Sequence, residues 1–194
     1  MTARRAVFVD RDGVLNRSFV RNGVPYPPAS LVDFEILPGV TEALLRLKDA
    51  GFMLIVATNQ PDVERGTQRR DVVEAMHARL LKELPIDDIK VCWELDSPQC
   101  TCYKPKPGML LDAAKEHKID LASSYMVGDR WRDVGAGKAA GCFTIFIDHG
   151  YAESLRETPD ATCADLEEAA AIILRHASEP VMTPVILKEG RCGS

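Results

Sequence analysis

The stretch VFVDRDGVLN, residues 7–16, decides how the rest of the chain is read. A short apolar run ends in Asp10, a second carboxylate follows at Asp12, and Gly13 permits a sharp turn directly after it. An apolar run that stops at a carboxylate reads as a buried strand bringing charge to its carboxyl end. Two carboxylates this close repel, so they point to a bound cation or a shared proton. A calcium loop is excluded by spacing. Counted from Asp10, Leu15 stands where its glycine belongs and Arg21 where its bidentate glutamate belongs. The remaining alternative is an acidic strand end that faces solvent.

Outward from this stretch, strand and helix signals alternate. FMLIVATN, residues 52–59, is apolar enough to be a strand buried on both faces. Before it, PGVTEALLRLKDAG (38–51) opens on Pro-Gly, sets Val40, Leu44 and Leu47 on one helical face, and stops at Gly51. TQRRDVVEAMHARLLKEL (67–84) is the next helix and IKVCW (89–93) the third strand. GMLLDAAKEHK (108–118), SYMVGD (124–129), VGAGKAAG (134–141), FTIFID (143–148) and DLEEAAAIILRHA (165–177) continue as helix, strand, helix, strand and helix. Such alternation reads as βαβ units around a parallel sheet. The principal irregular insertion, residues 16–39, is a Pro-rich loop with Arg17, Arg21 and Tyr26. It is placed to cover a ligand at the strand ends, where open α/β sheets bind them; a plain surface loop is the alternative.

Three further signals fall at or near strand ends. Thr58, with Asn59 beside it, offers a hydroxyl and backbone amides to phosphate oxygens. Lys104 and Lys106 stand in the Pro-bracketed turn YKPKPG, where a point charge can be held against phosphate. GDRWRD sets Asp129 and Asp133 after an apolar run. Singly each has a structural explanation, and Asp133 can merely cap or pair on a helix. The order DxDG, TN, KP, GDxxxD is much more specific than any of its parts.

Composition narrows the function classes. A chain of 194 residues, 46% hydrophobic, suits one domain with a real core. No apolar run approaches the roughly 20 residues that span a bilayer, and the N-terminus lacks the form of a secretory signal, so a cytoplasmic protein without membrane contact is expected. With 24 basic and 29 acidic residues the net charge is −5, which gives no footprint for wrapping nucleic acid, although a short nucleic-acid end remains open. Six cysteines in this context read as thiols or metal ligands rather than a disulfide framework.

The ordered motifs resemble the haloacid dehalogenase-like phosphatases over residues 6 to about 153. The resemblance implies a phosphoaspartate mechanism. Asp10 would attack phosphorus, and Asp12 would protonate the leaving oxygen and then activate water. Mg²⁺ would sit between Asp10, the Asp12 carbonyl and Asp129, while Thr58 and Lys104 hold the phosphoryl oxygens. Asp133 would orient Lys104 or the metal's water. The fold implied is α/β: a three-layer, Rossmann-like parallel sheet with helices on both faces and no separate cap domain. Residues 1–178 would form it, and residues 179–194 a tail with no assigned role.

Within the superfamily, DRDGVLN, TNQ and a Cys-rich loop running into KPKPGMLL are similar to the D-glycero-D-manno-heptose 1,7-bisphosphate 7-phosphatases and the related histidinol phosphatases. Those carry a structural zinc loop of the form Cys-x-His, then Cys-x-Cys before the lysine turn. Cys92, Cys100 and Cys102 match three ligand positions, and Glu94 stands at the histidine position. A Cys3Glu zinc site, a shell completed by Asp96 or water, and metal-free thiols all remain open. A Cys100–Cys102 redox pair is disfavoured because a disulfide one residue apart is strained. Cys142, Cys163 and Cys192 read as packing or free thiols. Tyr103 stands where the family commonly has an arginine, so recognition of a second phosphate would fall to Arg17, Arg21, Arg65 or Arg130.

The expectation is a monomeric, Mg²⁺-dependent phosphomonoesterase for a small phosphorylated sugar. Heptose 1,7-bisphosphate is first choice, then histidinol phosphate, then a DNA 3′-phosphate end. The reading from another class is a non-catalytic metal-binding or phosphate-binding module, against which Asp12 argues: a binder has no use for a general acid two residues after the nucleophile.

Overall fold

A computed structural model describes residues 4–178 of the chain; the expected tail, 179–194, lies outside the described residues. The core is a six-stranded, all-parallel sheet in the order β5-β4-β1-β6-β7-β8. Its strands are β1 (Ala6–Val9), β4 (Met53–Asn59), β5 (Asp88–Cys92), β6 (Tyr125–Gly128), β7 (Phe143–Ile147) and β8 (Ala161–Cys163). The helices are α1 (Val40–Asp49), α2 (Arg70–Glu83), α3 (Gly108–His117), α4 (Trp131–Ala140) and α5 (Leu166–Ser178), with a short 3-10 turn at Leu121–Ser123.

The period-2 pleat divides the core into two layers. Val7 and Val9 of β1, Leu54 and Val56 of β4, and Tyr125 and Val127 of β6 face one side, where Leu44 of α1, Leu80 of α2 and Ile173 of α5 pack against them. The intervening Phe8, Ile55, Ala57 and Met126 face the other side and meet Leu110 and Ala113 of α3. α4 packs on this second side too: a Cβ on Gly137 would come within 2.7 Å of the Met126 Cβ. Burial on both faces explains why β1 and β4 are unbroken apolar runs. Each fully buried Leu or Val contributes about 1.5 to 3 kcal/mol.

The insertion between β1 and α1 is more ordered than a loop. It forms an antiparallel hairpin of β2 (Phe19–Arg21) and β3 (Val24–Tyr26). The two-residue turn is Asn22-Gly23, with φ of 53° and 75°, and positive φ at both central positions is the geometry that matches hairpin twist. Two other elements differ from expectation. β8 is an additional short strand, and α4 begins at Trp131, earlier than the segment starting at Val134, because the Asp133 side chain accepts the Arg130 N–H at 2.9 Å and caps the first turn.

Candidate active site

Asp10, Asp12, Lys104, Asp129 and Asp133 gather at the carboxyl edge of the central strands β4, β1 and β6. The Asp10 amide donates to the Val127 carbonyl at 2.9 Å, which ties the end of β1 to the end of β6 and sets Asp10 near Asp129. The turn after Asp10 closes on itself: the Gly13 amide donates to Asn16 O (2.8 Å) and the Leu15 amide to Arg11 O (2.9 Å). Gly13 has φ of +88°, and a Cβ there would lie 1.9 Å from Asp129 Oδ2. Only glycine leaves that space beside the carboxylate.

Lys104 joins the ends of three elements. Its main chain is clamped to β4 by Asn59, whose Oδ1 accepts the Lys104 amide (3.0 Å) and whose Nδ2 donates to the Lys104 carbonyl (3.2 Å). Its ammonium lies 2.9 Å from Asp10 Oδ1 and donates to Asp133 Oδ1 at 2.5 Å and to the Ala57 carbonyl at 2.7 Å. Burial disfavours the charged lysine, but Asp10 and Asp133 overcome it and raise its pKa. Asp10 is pushed up to about 6 by burial, against the pull of Lys104.

Asp12 behaves in the opposite way. Burial works against its ionisation, yet the Arg11 guanidinium and donors on Asn16 (2.9 Å) and Gln60 (3.0 Å) hold its carboxyl below the usual range. Arg11 is fully buried, grips Asp12 from 2.8 Å, and donates from Nη1 to His77 Nε2 at 3.1 Å. Gln60 also donates to the Thr58 hydroxyl at 2.9 Å. Arg11, Asn16, Gln60 and His77 are support residues that sequence reading did not single out.

A divalent cation fits this set. Both carboxylate oxygens of Asp129 are buried with no well-formed hydrogen bond, although the nearby Tyr151 hydroxyl favours their charge, and ionisation there is costly unless a cation satisfies it. Oxygens of Asp10, Asp129 and Asp133 lie within 4.8 Å of one another. Burial, then Asp10 and Asp133, raises the Asp129 carboxyl well above its normal range, and an oxygen-rich site of this kind suits a hard ion such as Mg²⁺.

These groups line one cavity of about 200 Å³, together with Ser18, Pro25, Tyr26 and Pro27 from the hairpin region, Thr58, Asn59, Tyr103, Arg130 and Arg132. Of the expected substrate residues, Asn59, Tyr103 and Arg130 are in this lining, while Arg17 and Arg21 are not. Arg17 is exposed and bonded to Glu35 at 2.7 Å, and Arg21 stacks 5.7 Å over Tyr26 beside a neighbouring groove. Phe19 and Tyr26 line that groove with Arg21. Arg132 is a lining cation the sequence reading missed.

The Cys loop also departs from expectation. Cys92 and Cys102 are joined by a disulfide, their Cα atoms 5.4 Å apart, and the Cys100 sulfur sits 3.7 Å from Cys92 and 3.6 Å from Cys102. Glu94 is exposed and outside this cluster, where its charge stays hydrated. Asp96 is likewise turned away, paired with Lys106 at 3.1 Å.

The chain is similar to known proteins over most of its length. The profile described as haloacid dehalogenase-like hydrolase matches residues 29–141. The D-glycero-D-manno-heptose-1,7-bisphosphate 7-phosphatase of Thermosynechococcus vestitus is 35% identical, over 89% of this chain and 97% of its own length. The Helicobacter pylori D-glycero-beta-D-manno-heptose-1,7-bisphosphate 7-phosphatase is 37% identical over 71% of this chain and 79% of its own. The D,D-heptose 1,7-bisphosphate phosphatase crystal structure from B. bronchiseptica, complexed with magnesium and phosphate, superposes with a TM-score of 0.74 at 30% identity, covering 89% of this chain and 99% of that one.

Proposed function

The chain belongs to the haloacid dehalogenase-like hydrolases, and from that premise we propose that it removes the 7-phosphate of D-glycero-D-manno-heptose 1,7-bisphosphate. The observation that carries the reading is the buried Asp10–Lys104 pair beside the Asp129 carboxylate, itself buried with no well-formed hydrogen bond, at one end of a single pocket.

Asp10 Oδ attacks phosphorus and the bond to the sugar oxygen breaks, leaving an aspartyl phosphate. Asp12 gives its proton to that oxygen; a phosphate brought beside Asp12 raises its carboxyl toward the protonated form that this step needs. In the second step Asp12 takes a proton from water as the water oxygen bonds to phosphorus. The bond to Asp10 then breaks and inorganic phosphate leaves. The grip of Arg11 favours ionised Asp12, the form required there. Lys104 and the hydroxyl of Thr58 hold phosphoryl oxygens, with Asn59 fixing the lysine turn and Asp133 positioning the ammonium. Mg²⁺ held by Asp10, the Asp12 carbonyl and Asp129 would offset the charge of the carboxylates and the phosphate.

For the Cys loop the proposal extends to a structural zinc in reduced protein. Cys92, Cys100 and Cys102 already converge, and Glu94 folding inward, or water, would take the fourth position. About one zinc per chain after purification under reducing conditions supports this, and none removes it. We also read the protein as a cytoplasmic monomer of one domain over residues 1–178. Cys100, Cys142 and Cys163 are free thiols beside the Cys92–Cys102 disulfide, and no helix among the described residues is long and apolar enough to cross a membrane.

The test is phosphate release, with Mg²⁺, from both anomers of heptose 1,7-bisphosphate, histidinol phosphate and a short 3′-phosphorylated DNA end. Preference for a heptose anomer is expected. Turnover of another substrate alone contradicts the assignment.

A further inference from the structure

The arginines near the pocket differ in how far their donors are already engaged. Arg65 is bonded to Asp62, Arg17 to Glu35, and neither lines the cavity that holds Asp10 and Lys104. Arg130 lines it, but its guanidinium is held by Glu153 through two donors, Nη2 to Oε1 at 2.9 Å and Nε to Oε2. Arg132 lines it as well and reaches Glu153 by a single long contact, Nη1 to Oε1 at 3.5 Å. Its Nε is buried with no partner. Its guanidinium lies 4.5 Å from the centre of the Trp131 ring, which restricts its orientation.

A buried donor without an acceptor has given up water for nothing, and on a side chain that lines the pocket it leaves a guanidinium that gains by turning toward an acceptor brought by the ligand. Arg130 and Arg132 share the Glu153 carboxylate, and Arg130 takes the better part of it. Lys104 is engaged by Asp10 and Asp133, and Tyr103 carries no cation. Arg132 is therefore the least engaged cation in the lining among the described residues.

We infer that Arg132 is a specificity-determining residue that donates to a second phosphate on the substrate, while the reacting phosphate lies between Asp10 and Lys104. The inference rests on the phosphatase reading above and adds the group that reads the far end of a bisphosphate. A planar guanidinium presents paired donors that match phosphate oxygens, and its stacking on Trp131 reduces the freedom lost on binding. Arg130, fixed by Glu153, adds charge from the same side.

The experiment compares wild type, Arg132→Ala and Arg132→Lys on two matched pairs: heptose 1,7-bisphosphate against heptose 7-phosphate, and fructose 1,6-bisphosphate against fructose 6-phosphate. Arg132→Ala is expected to lower the bisphosphate-to-monophosphate ratio of kcat/KM by about 10-fold or more, mainly through KM, and Arg132→Lys to restore part of it. An unchanged ratio in a folded variant overturns the inference, as does a wild-type enzyme indifferent to the second phosphate. If only the fructose pair is hydrolysed, with an Arg132-dependent preference, the heptose assignment fails and the role of Arg132 stands. Should the alanine variant fold poorly, Arg132→Gln keeps the length without the charge and decides the question by the same ratio.

Discussion

Lys104 reaches Asp10 across a buried ion pair of 2.9 Å, and the same ammonium is held from its other side by Asp133 at 2.5 Å. One cation thus serves two carboxylates, with Asp129 close by and without a well-formed hydrogen bond. Replacing Lys104 by Met leaves those carboxylates facing each other without compensation. The expected outcome is a loss of about 3 to 5 kcal/mol of stability and a fall of about 100- to 1000-fold in turnover, checked by urea unfolding and phosphate release. Near-wild-type turnover in that variant would remove the lysine from the chemistry.

Asp10→Asn conserves shape while removing the carboxylate that we propose as nucleophile. Turnover is expected to vanish while circular dichroism and the melting transition stay close to wild type. The relief of repulsion among Asp10, Asp129 and Asp133 gives a stability equal to or above that of wild type, because burial already disfavours the Asp10 charge.

Gly13→Ala tests the space kept beside Asp129. Its φ of +88° strains any other residue, and the added methyl would displace the Asp129 carboxylate. A shift of about 1 Å there costs on the order of 100-fold in activity. Titration with Mg²⁺ should show weaker activation, and unaltered activation would mean that Asp129 does not hold the ion.

His77 supplies a pH signature. Burial first, then the charge of Arg11, brings its imidazole from 6.5 down to about 4, with Asp12 pulling weakly the other way. Trp93 completes its surroundings, ring centres 6.1 Å apart. A depressed folded value means that the unfolded chain takes up the proton first. Above pH 6.5 the residue adds no pH dependence; from 6.5 down to 4 it progressively destabilises the fold, by up to roughly 3 kcal/mol, and then levels off. The difference in unfolding free energy between wild type and His77→Gln should therefore shift against wild type between about pH 7 and pH 4.5. A difference that does not move with pH would show that His77 is not held neutral.

What was legible in the sequence follows from what is local. Strands β1 and β4 announce themselves because both faces are buried, and Asp10, Lys104 and Asp129 because each stands at a strand end or in a stiff turn. The hairpin at 19–26 was read only as part of a Pro-rich loop, because the surrounding prolines masked the Asn22-Gly23 turn. Contacts between distant residues were not legible. His77 meets Arg11 across 66 positions, and nothing in DRDG says that its arginine turns inward to grip Asp12 rather than outward to solvent. Glu94 shows the converse. Its place in a motif suggested a ligand, while its charge keeps it in water, outside the cysteine cluster. Arg130 and Arg132 stand two residues apart, and only the position of Glu153 distinguishes the engaged cation from the available one.

The central claim is tested most directly by following ³¹P NMR of D-glycero-D-manno-heptose 1,7-bisphosphate with the enzyme and Mg²⁺. The account predicts that the 7-phosphate signal is replaced by inorganic phosphate while the anomeric phosphate remains on the sugar, and that Asp10→Asn leaves both signals untouched. Release of the anomeric phosphate, or no release from either position, would contradict it.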